Sequence, residues 1–335
     1  MWAWSADADR LRDAPEQSLV QHPAPSPATS SLLRIGTRGS PLALAQAQMV
    51  RNQLAAAHGL AAERIEIVTF RTSGDRIQDR TLSEAGGKGL FTKELEEALL
   101  TGAIDLAVHS AKDMPTEQQG GLVIGGVLPR EDPRDAFISP RAARLRDLPP
   151  GAVVGTASLR RQAMVKMLRP DVTVIPFRGN VETRLRKLAE GEADATLLAL
   201  AGLKRLGLAD RATAIFETHE FLPAAGQGIV AIEVRGDDAR TVPLVAAIGD
   251  AAAATALTAE RAFLAVLDGS CRTPIGGLAE IAGETLHFRG LIARPDGTAH
   301  FATERRGPLI DAAALGASAG RELRDKAGPD FFVPA

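Results

Sequence analysis

Apolar positions in the first part of the chain alternate between two spacings. Short apolar runs at 32–36 and 104–108 and the alternating pattern at 65–70 are typical of strands, whereas apolar residues three or four apart over 42–54 are typical of a helix. Ser40-Pro41 is a helix start signal, and Gly59 suits the end of that helix. The β-α-β alternation predicts an α/β fold with a mainly parallel sheet.

The same alternation restarts near residue 130. It predicts a helix over 158–168 and a second helix from Asn180, which can act as its cap, to Glu190. Further helices and strands are expected on either side. The predicted segments are the strands 122–128, 153–155, 172–175, 196–200 and 229–234 and the helix 91–100.

The last third has a different pattern. A helix over about 252–267 is followed by strand-like runs at 278–281, 285–293 and 299–305 and by a closing helix over about 311–326. This order predicts a small α+β domain.

Composition narrows the class of protein. The chain has 335 residues, 45% of them hydrophobic, with a net charge of −2, so no overall field attracts nucleic acid or an anionic membrane. No apolar run approaches the roughly 18 residues of a membrane span.

Residues 1–31 are rich in Pro, Ala and Ser and lack the apolar core of a secretory signal, so we expect a disordered tail and a cytoplasmic protein.

Two segments, Ile35–Ser40 and Val154–Arg161, echo each other. Each places Gly-Thr after a strand, and then Ser and Arg at the start of a helix, where backbone amides and the helix dipole favour anions. Either copy alone could be a helix cap beside an exposed arginine. Two copies favour two lobes facing a cleft for a ligand with several carboxylates.

Three further segments carry candidate chemistry. Asp113 follows an apolar strand, where ligands bind in α/β sheets, although an Asp in a turn can also simply cap a backbone amide. Cys271 is the only cysteine, which excludes an intrachain disulfide, and its Gly-Ser-Cys-Arg-Thr-Pro loop leaves a buried and a reactive cysteine both open. Arg178 and Arg184 form a basic loop at a helix start.

Seven strings in this order resemble the porphobilinogen deaminase family, and the resemblance covers about residues 32–330. The strings are RGSPLAL (38–44), GGKGLF (86–91), HSAKDMP (109–115), REDPRDA (130–136), GTASLRR (155–161), LKRLG (203–207) and CRTPIG (271–276).

The resemblance implies two lobes like those of periplasmic binding proteins plus a small C-terminal α+β domain. The expected boundaries are 32–129 with 223–246 for lobe 1, 130–222 for lobe 2 and 247–335 for the C-terminal domain. It also implies a monomeric transferase of tetrapyrrole (haem or chlorophyll) biosynthesis. Such an enzyme deaminates and joins four porphobilinogen molecules into linear hydroxymethylbilane, with no metal, nucleic acid or membrane.

The resemblance also assigns site residues. It makes Asp113 the catalytic carboxylate and Cys271 the thioether anchor of a dipyrromethane cofactor. The other residues implied to bind the cofactor are Ser110, Lys112, Thr156, Ser158, Arg160, Arg161 and Arg205. The residues implied to bind substrate are Arg38, Ser40, Arg178, Arg184 and Lys88, the last in a lid over about 75–87.

Three features depart from the family: Glu84 stands where many relatives have lysine, Ala157 replaces a hydroxyl residue, and the tail has no counterpart. Two other functions would fit part of this sequence. A two-lobed solute-binding protein for a polycarboxylate would share the fold but predicts an export signal and needs no cysteine. A cysteine nucleophile enzyme needs a histidine base, and none lies near Cys271 in sequence.

Overall fold

The fold is known from a computed structural model that describes residues 31–76, 91–267, 273–328 and 331. Within one compact unit, Ser31–Ala335, three sheets are present. Nearly all of the predicted tail and of the predicted lid, together with Glu84, Lys88 and Cys271, lie outside the described residues.

The first lobe is built on a five-stranded sheet with the order β2-β1-β3-β10-β4. Strands β1, β2 and β3 are parallel, whereas β10 runs antiparallel to both of its neighbours. Its strands are β1 (Leu33–Arg38), β2 (Ile65–Phe70), β3 (Leu106–Ser110), β4 (Leu122–Val127) and β10 (Val230–Arg235). Its helices are α1 (Pro41–His58), α2 (Ser73–Arg76), α3 (Lys93–Leu100) and α7 (Thr241–Ala246).

The second lobe repeats this arrangement with the order β7-β6-β8-β5-β9, in which β5 is the antiparallel strand. Its strands are β5 (Asp135–Ile138), β6 (Val153–Gly155), β7 (Thr173–Ile175), β8 (Ala195–Ala199) and β9 (Ala214–Ile215). Its helices are α4 (Leu159–Leu168), α5 (Val181–Ala189) and α6 (Leu200–Arg205).

The chain crosses twice between the lobes, and each crossing adds one antiparallel strand to the sheet that it enters. The chain leaves the first sheet after β4 and enters the second as β5, and it returns after β9 to form β10 between β3 and β4. Two crossovers, residues 128–134 and 216–229, therefore connect the lobes. One strand of each sheet, β10 in the first and β5 in the second, is antiparallel to its neighbours, and the other four run in one direction, so the prediction of mainly parallel sheets holds for four strands of each five.

The C-terminal domain is an antiparallel sheet covered by two helices, which confirms the predicted α+β class. Phe263 and Phe288 pack at its centre, with ring centroids 5.0 Å apart. Its elements are α8 (Ala251–Val266), β11 (Ile275–Ala282), β12 (Thr285–Ala293), β13 (His300–Pro308) and α9 (Ala312–Ala327). Leu278 and Leu291 of this sheet join the core of the second lobe, and Ala253 and Leu257 of α8 join that of the first.

Local signals placed several boundaries correctly. Gly59 ends α1 in the left-handed conformation, with φ 61°, and Asn180 caps α5 by accepting a 2.8 Å hydrogen bond from the Thr183 amide. Among the described residues, none of the helices combines the length and hydropathy that crossing a bilayer requires.

Candidate active site

The first anion motif lies at the carboxyl end of β1. Ser40 caps α1 by accepting a 3.3 Å hydrogen bond from the Ala43 amide, and the Arg38 guanidinium stacks 4.3 Å from the centre of the Phe91 ring. Arg38 and Ser40 line a cavity of about 60 Å³ together with Ser110 and Asp113. The structure thus brings four of the predicted residues to one pocket.

Asp113 reaches this pocket from a neighbouring strand. It ends a single 3-10 turn, Ala111–Asp113, that directly follows β3, and its side chain is exposed. Ser110 accepts a 2.9 Å hydrogen bond from Nε2 of Gln46, a residue of α1 that is almost fully buried. The carboxylate therefore stands at the carboxyl edge of the sheet, where ligands of α/β folds bind.

The second anion motif is used differently. Ser158 caps α4 by accepting a 3.4 Å hydrogen bond from the Arg161 amide, and Thr156 Oγ1 accepts one from the Ser158 amide at 3.2 Å. Arg160 and Arg161 are both buried. The hydroxyl groups of this motif therefore order the loop, while its two guanidinium groups point inward.

Asp135, the first residue of β5, receives these two arginines. Its Oδ1 accepts hydrogen bonds from Arg161 Nε at 3.0 Å and Nη2 at 2.7 Å, and Arg160 Nη1 lies 2.8 Å from Oδ2. Burial alone would raise the pKa of Asp135, but the two guanidinium groups hold it well below its usual range. Asp135 is therefore a buried, ionised counter-ion.

The single negative charge of Asp135 does not balance the positive charges that surround it. Burial, followed by the charge of Arg161, lowers the pKa of Lys112 to about 8, and burial with Arg161 lowers that of Arg184 to about 10. Arg184 is also close enough to Asp113 for their charges to interact. Around Asp113 and Asp135 the described residues place five interacting cations, Lys112, Arg160, Arg161, Arg178 and Arg184. A surplus of positive charge in a desolvated place favours a ligand with several anionic groups.

Arg205 lies at the edge of this arrangement. Its Nη2 donates a 2.7 Å hydrogen bond to the Gly228 carbonyl. The carboxylate of Glu131 is close enough for the two charges to interact. Nε of Arg205 and Nε of Arg160 are buried with no hydrogen-bond partner among the described residues. Two unsatisfied guanidinium donors on the same lobe also fit an anionic ligand.

Two family models match the chain. The model described as "Porphobilinogen deaminase, dipyromethane cofactor binding domain" matches residues 33–243, and "Porphobilinogen deaminase, C-terminal domain" matches 254–325. The porphobilinogen deaminase of Nitrobacter hamburgensis is 66% identical over 305 residues, covering 91% of this chain and 96% of that one. The porphobilinogen deaminase of Paracoccus denitrificans is 58% identical, covering 90% and 96%.

The chain belongs to the porphobilinogen deaminase family. It is accordingly a transferase of tetrapyrrole biosynthesis with a dipyrromethane-binding domain, and the solute-binding alternative is not favoured. A nutrient binding protein from Burkholderia cenocepacia bound to methionine shares 16% identity with a TM-score of 0.41, over 64% of this chain and 90% of that chain.

The porphobilinogen deaminase cofactor fits the residues present. A dipyrromethane carries four carboxylates, and the cationic surplus around Lys112 and Arg161, with the unpaired Nε of Arg160, offers donors for them. Asp113 and the cationic residues lie within the matched cofactor domain, whereas Cys271 lies within the matched C-terminal domain. Cys271 and Lys88 themselves lie outside the described residues.

Sequence reasoning missed three polar residues of this porphobilinogen deaminase site: Asp135, Gln46 and Gln227. Asp135 lies within the family-like string at 130–136, but nothing in that string indicates that it pairs with Arg160 and Arg161. Gln46 is a polar residue on the buried face of α1, a signal that could have been read from the helical spacing. Gln227 stands between two glycines of the second crossover, and no local pattern indicated its partners.

Proposed function

We propose that this chain deaminates porphobilinogen and joins four molecules of it head to tail into hydroxymethylbilane, with Asp113 as the catalytic carboxylate. The observation that carries this proposal is that Asp113 lines the pocket of Arg38 and also interacts with the charge of Arg184. It places one exposed carboxylate among donors that suit a substrate rich in carboxylates.

Each porphobilinogen carries an acetate and a propionate group, so binding needs cations. Arg38, Ser40, Arg178 and Arg184 are proposed to hold these groups on the substrate. Because these four residues lie on both lobes, the proposed binding cleft is formed by the two lobes together.

Asp113 has the charge that the reaction needs. When porphobilinogen loses its amino nitrogen as ammonia, the carbon left behind is electron-poor and the adjoining pyrrole N–H becomes more acidic. A carboxylate beside that N–H stabilises the positive charge, and it can accept a proton and return it.

Lys112, Arg160, Arg161 and Arg205, with the hydroxyls of Ser110, Thr156 and Ser158, are proposed to hold the dipyrromethane carboxylates, and Cys271 to carry its thioether. Dipyrromethane, when bound, supplies the primer from which the pyrrole chain grows. A thioether resists hydrolysis, so the anchor persists from one cycle to the next.

Because Cys271 is the only cysteine, a thiol titration of the denatured chain tests the attachment directly. Active enzyme should show almost no free thiol, and its intact mass should exceed the sequence mass by two linked pyrrole units. The Cys271→Ser variant should show the sequence mass and release no ammonia from porphobilinogen. One free thiol per chain in active enzyme would reject the attachment. The monomeric state and cytoplasmic location stay predictions.

A further inference from the structure

Gln227 lies in the second crossover at the point where three segments meet. It is 1% exposed and is flanked by Gly226, with φ 73°, and Gly228, with φ 90°. A Cβ at Gly226 would lie 3.0 Å from the backbone nitrogen of Lys112, and one at Gly228 would lie 2.2 Å from the backbone carbonyl oxygen of Glu131. Both glycines thus permit a close approach that other residues would block. The second crossover therefore packs between the turn that carries Lys112 in the first lobe and the first crossover, residues 128–134, which leads into the second lobe.

The amide of Gln227 uses this position to bridge the lobes. Its Oε1 accepts a 3.2 Å hydrogen bond from Lys112 Nζ, and its Nε2 donates to Asp135 Oδ1 at 3.1 Å and to the Pro133 carbonyl at 2.7 Å. An ammonium group can only donate, and a carboxylate or carbonyl can only accept. These partners therefore fix which end of the amide faces each lobe.

We propose that Gln227 is a positioning residue that holds the Lys112 ammonium toward the cofactor carboxylates without neutralising it. A neutral amide oxygen orients the ammonium yet leaves its charge available for an anionic ligand. A carboxylate at the same place would pair with Lys112 and repel Asp135. This inference rests on the proposed function only for the identity of the ligand.

The charges that face Lys112 make the choice of an amide consequential. Arg160 and Arg161 disfavour its ammonium form, and Asp113 and Asp135 favour it. Adding a negative charge through Gln227→Glu should therefore favour the ammonium form, and removing the acceptor through Gln227→Met should disfavour it. The two variants have nearly the same size but should move the titration of Lys112 in opposite directions.

The test uses the full-length chain carrying Cys271→Ser, so that no attached cofactor shields the site. Lysines are acetylated with acetic anhydride at several pH values, and peptide mapping gives the rate at Lys112, with Lys204 as an internal reference. At pH 6, well below the pKa of Lys112, we expect Gln227→Glu to react more slowly and Gln227→Met faster than the parent, by up to roughly tenfold, the change that one pKa unit produces.

With Cys271 restored, intact mass gives the fraction of chains that carry the primer. Both variants should load less than wild type, whereas Gln48→Met, which removes only a hydrogen bond to Asn52 on α1, should load normally. Equal Lys112 titration in both variants, or full loading of Gln227→Met, would overturn the proposal. If Gln227→Met does not fold, Gln227→Asn replaces it, because its shorter amide cannot reach both lobes. The acetylation experiment stands even if Cys271 carries nothing, so the two proposals fail separately.

Discussion

Arg130 Nη1 lies 2.6 Å from Oε1 of Glu260, a carboxylate on α8 that is fully buried. Glu260 also accepts hydrogen bonds from the Gly226 amide at 2.5 Å and the Ala279 amide at 2.8 Å. One side chain of the C-terminal domain therefore holds both crossovers between the lobes and the first strand of its own sheet.

Replacing Arg130 by leucine should destabilise the protein by roughly 3–5 kcal/mol, because it leaves a buried carboxylate without its cation. Thermal or urea unfolding measures the loss. The matched control is Arg141→Leu, since Arg141 pairs with Asp194 at the surface with 65% of its side chain exposed, where such pairs contribute about 0–1 kcal/mol. Equal losses in the two variants would contradict the role assigned to Arg130.

Helices α8 and α9 touch at Gly316, and this contact gives a second prediction. A Cβ at Gly316 would lie 1.9 Å from the Ala259 carbonyl oxygen, so Gly316→Ala must push the helices apart. We expect a loss of about 1–3 kcal/mol or more in the free energy of unfolding. Gly120→Ala is the control because its Cβ would meet nothing within 4 Å. A neutral Gly316→Ala would show that the helices are less tightly packed than the structure indicates.

The sequence predicted the elements whose signals are local. The alternation at Ile65–Phe70 gave β2 with its observed bounds, and the cap at Asn180 gave the start of α5. Strands β5 and β9 were not predicted: β9 has only two residues, too few to show a period, and the four residues of β5 begin with the charged Asp135, whose buried place in the sheet depends on distant arginines. That β10 inserts between β3 and β4 depends on pairing between distant segments, which no window of sequence reveals.

The site shows the same limit. The residue types around the cleft could be predicted, because strand ends and helix starts mark where ligands bind. The partners could not, since Asp135 and Arg161 are 26 positions apart and Gln227 and Lys112 are 115 apart. The sequence predicts that Arg160 and Arg161 bind the ligand directly. The structure adds that both of them pair with Asp135, a buried counter-ion that is distant in sequence.

Replacing Asp113 by asparagine should preserve the fold and remove catalysis. The side chain is exposed, so the free energy of unfolding should change by no more than about 0.5 kcal/mol. Ammonia release from porphobilinogen should fall by at least about 100-fold, the usual contribution of a positioned acid or base. Asp147→Asn, at an exposed carboxylate in a 3-10 turn of the second lobe, should release ammonia at the wild-type rate. Normal release by Asp113→Asn would remove Asp113 from the mechanism.

The charge of Lys112 should set an alkaline limit on the loading of the cofactor. Because burial lowers its pKa to about 8, the ammonium form is present below that pH and is lost as the pH rises through it, rather than near 10.5. In the cofactor-free chain, attraction for the dipyrromethane carboxylates should therefore weaken above pH 8, and the rate at which porphobilinogen loads the primer onto that chain, followed by intact mass, should fall there. Lys112→Arg stays charged throughout, so its loading rate, even if lower overall, should lose this decline.

Lys204→Arg is the matched control for this pH profile. Lys204 donates a 2.7 Å hydrogen bond to Glu131, and that contact raises its pKa, so Lys204 keeps its charge well above pH 8. Its replacement should leave the alkaline decline of wild type in place. If Lys112→Arg declined in parallel with wild type and Lys204→Arg, the alkaline limit would belong to another group, and the Lys112 ammonium would not be the cation that binds the carboxylates.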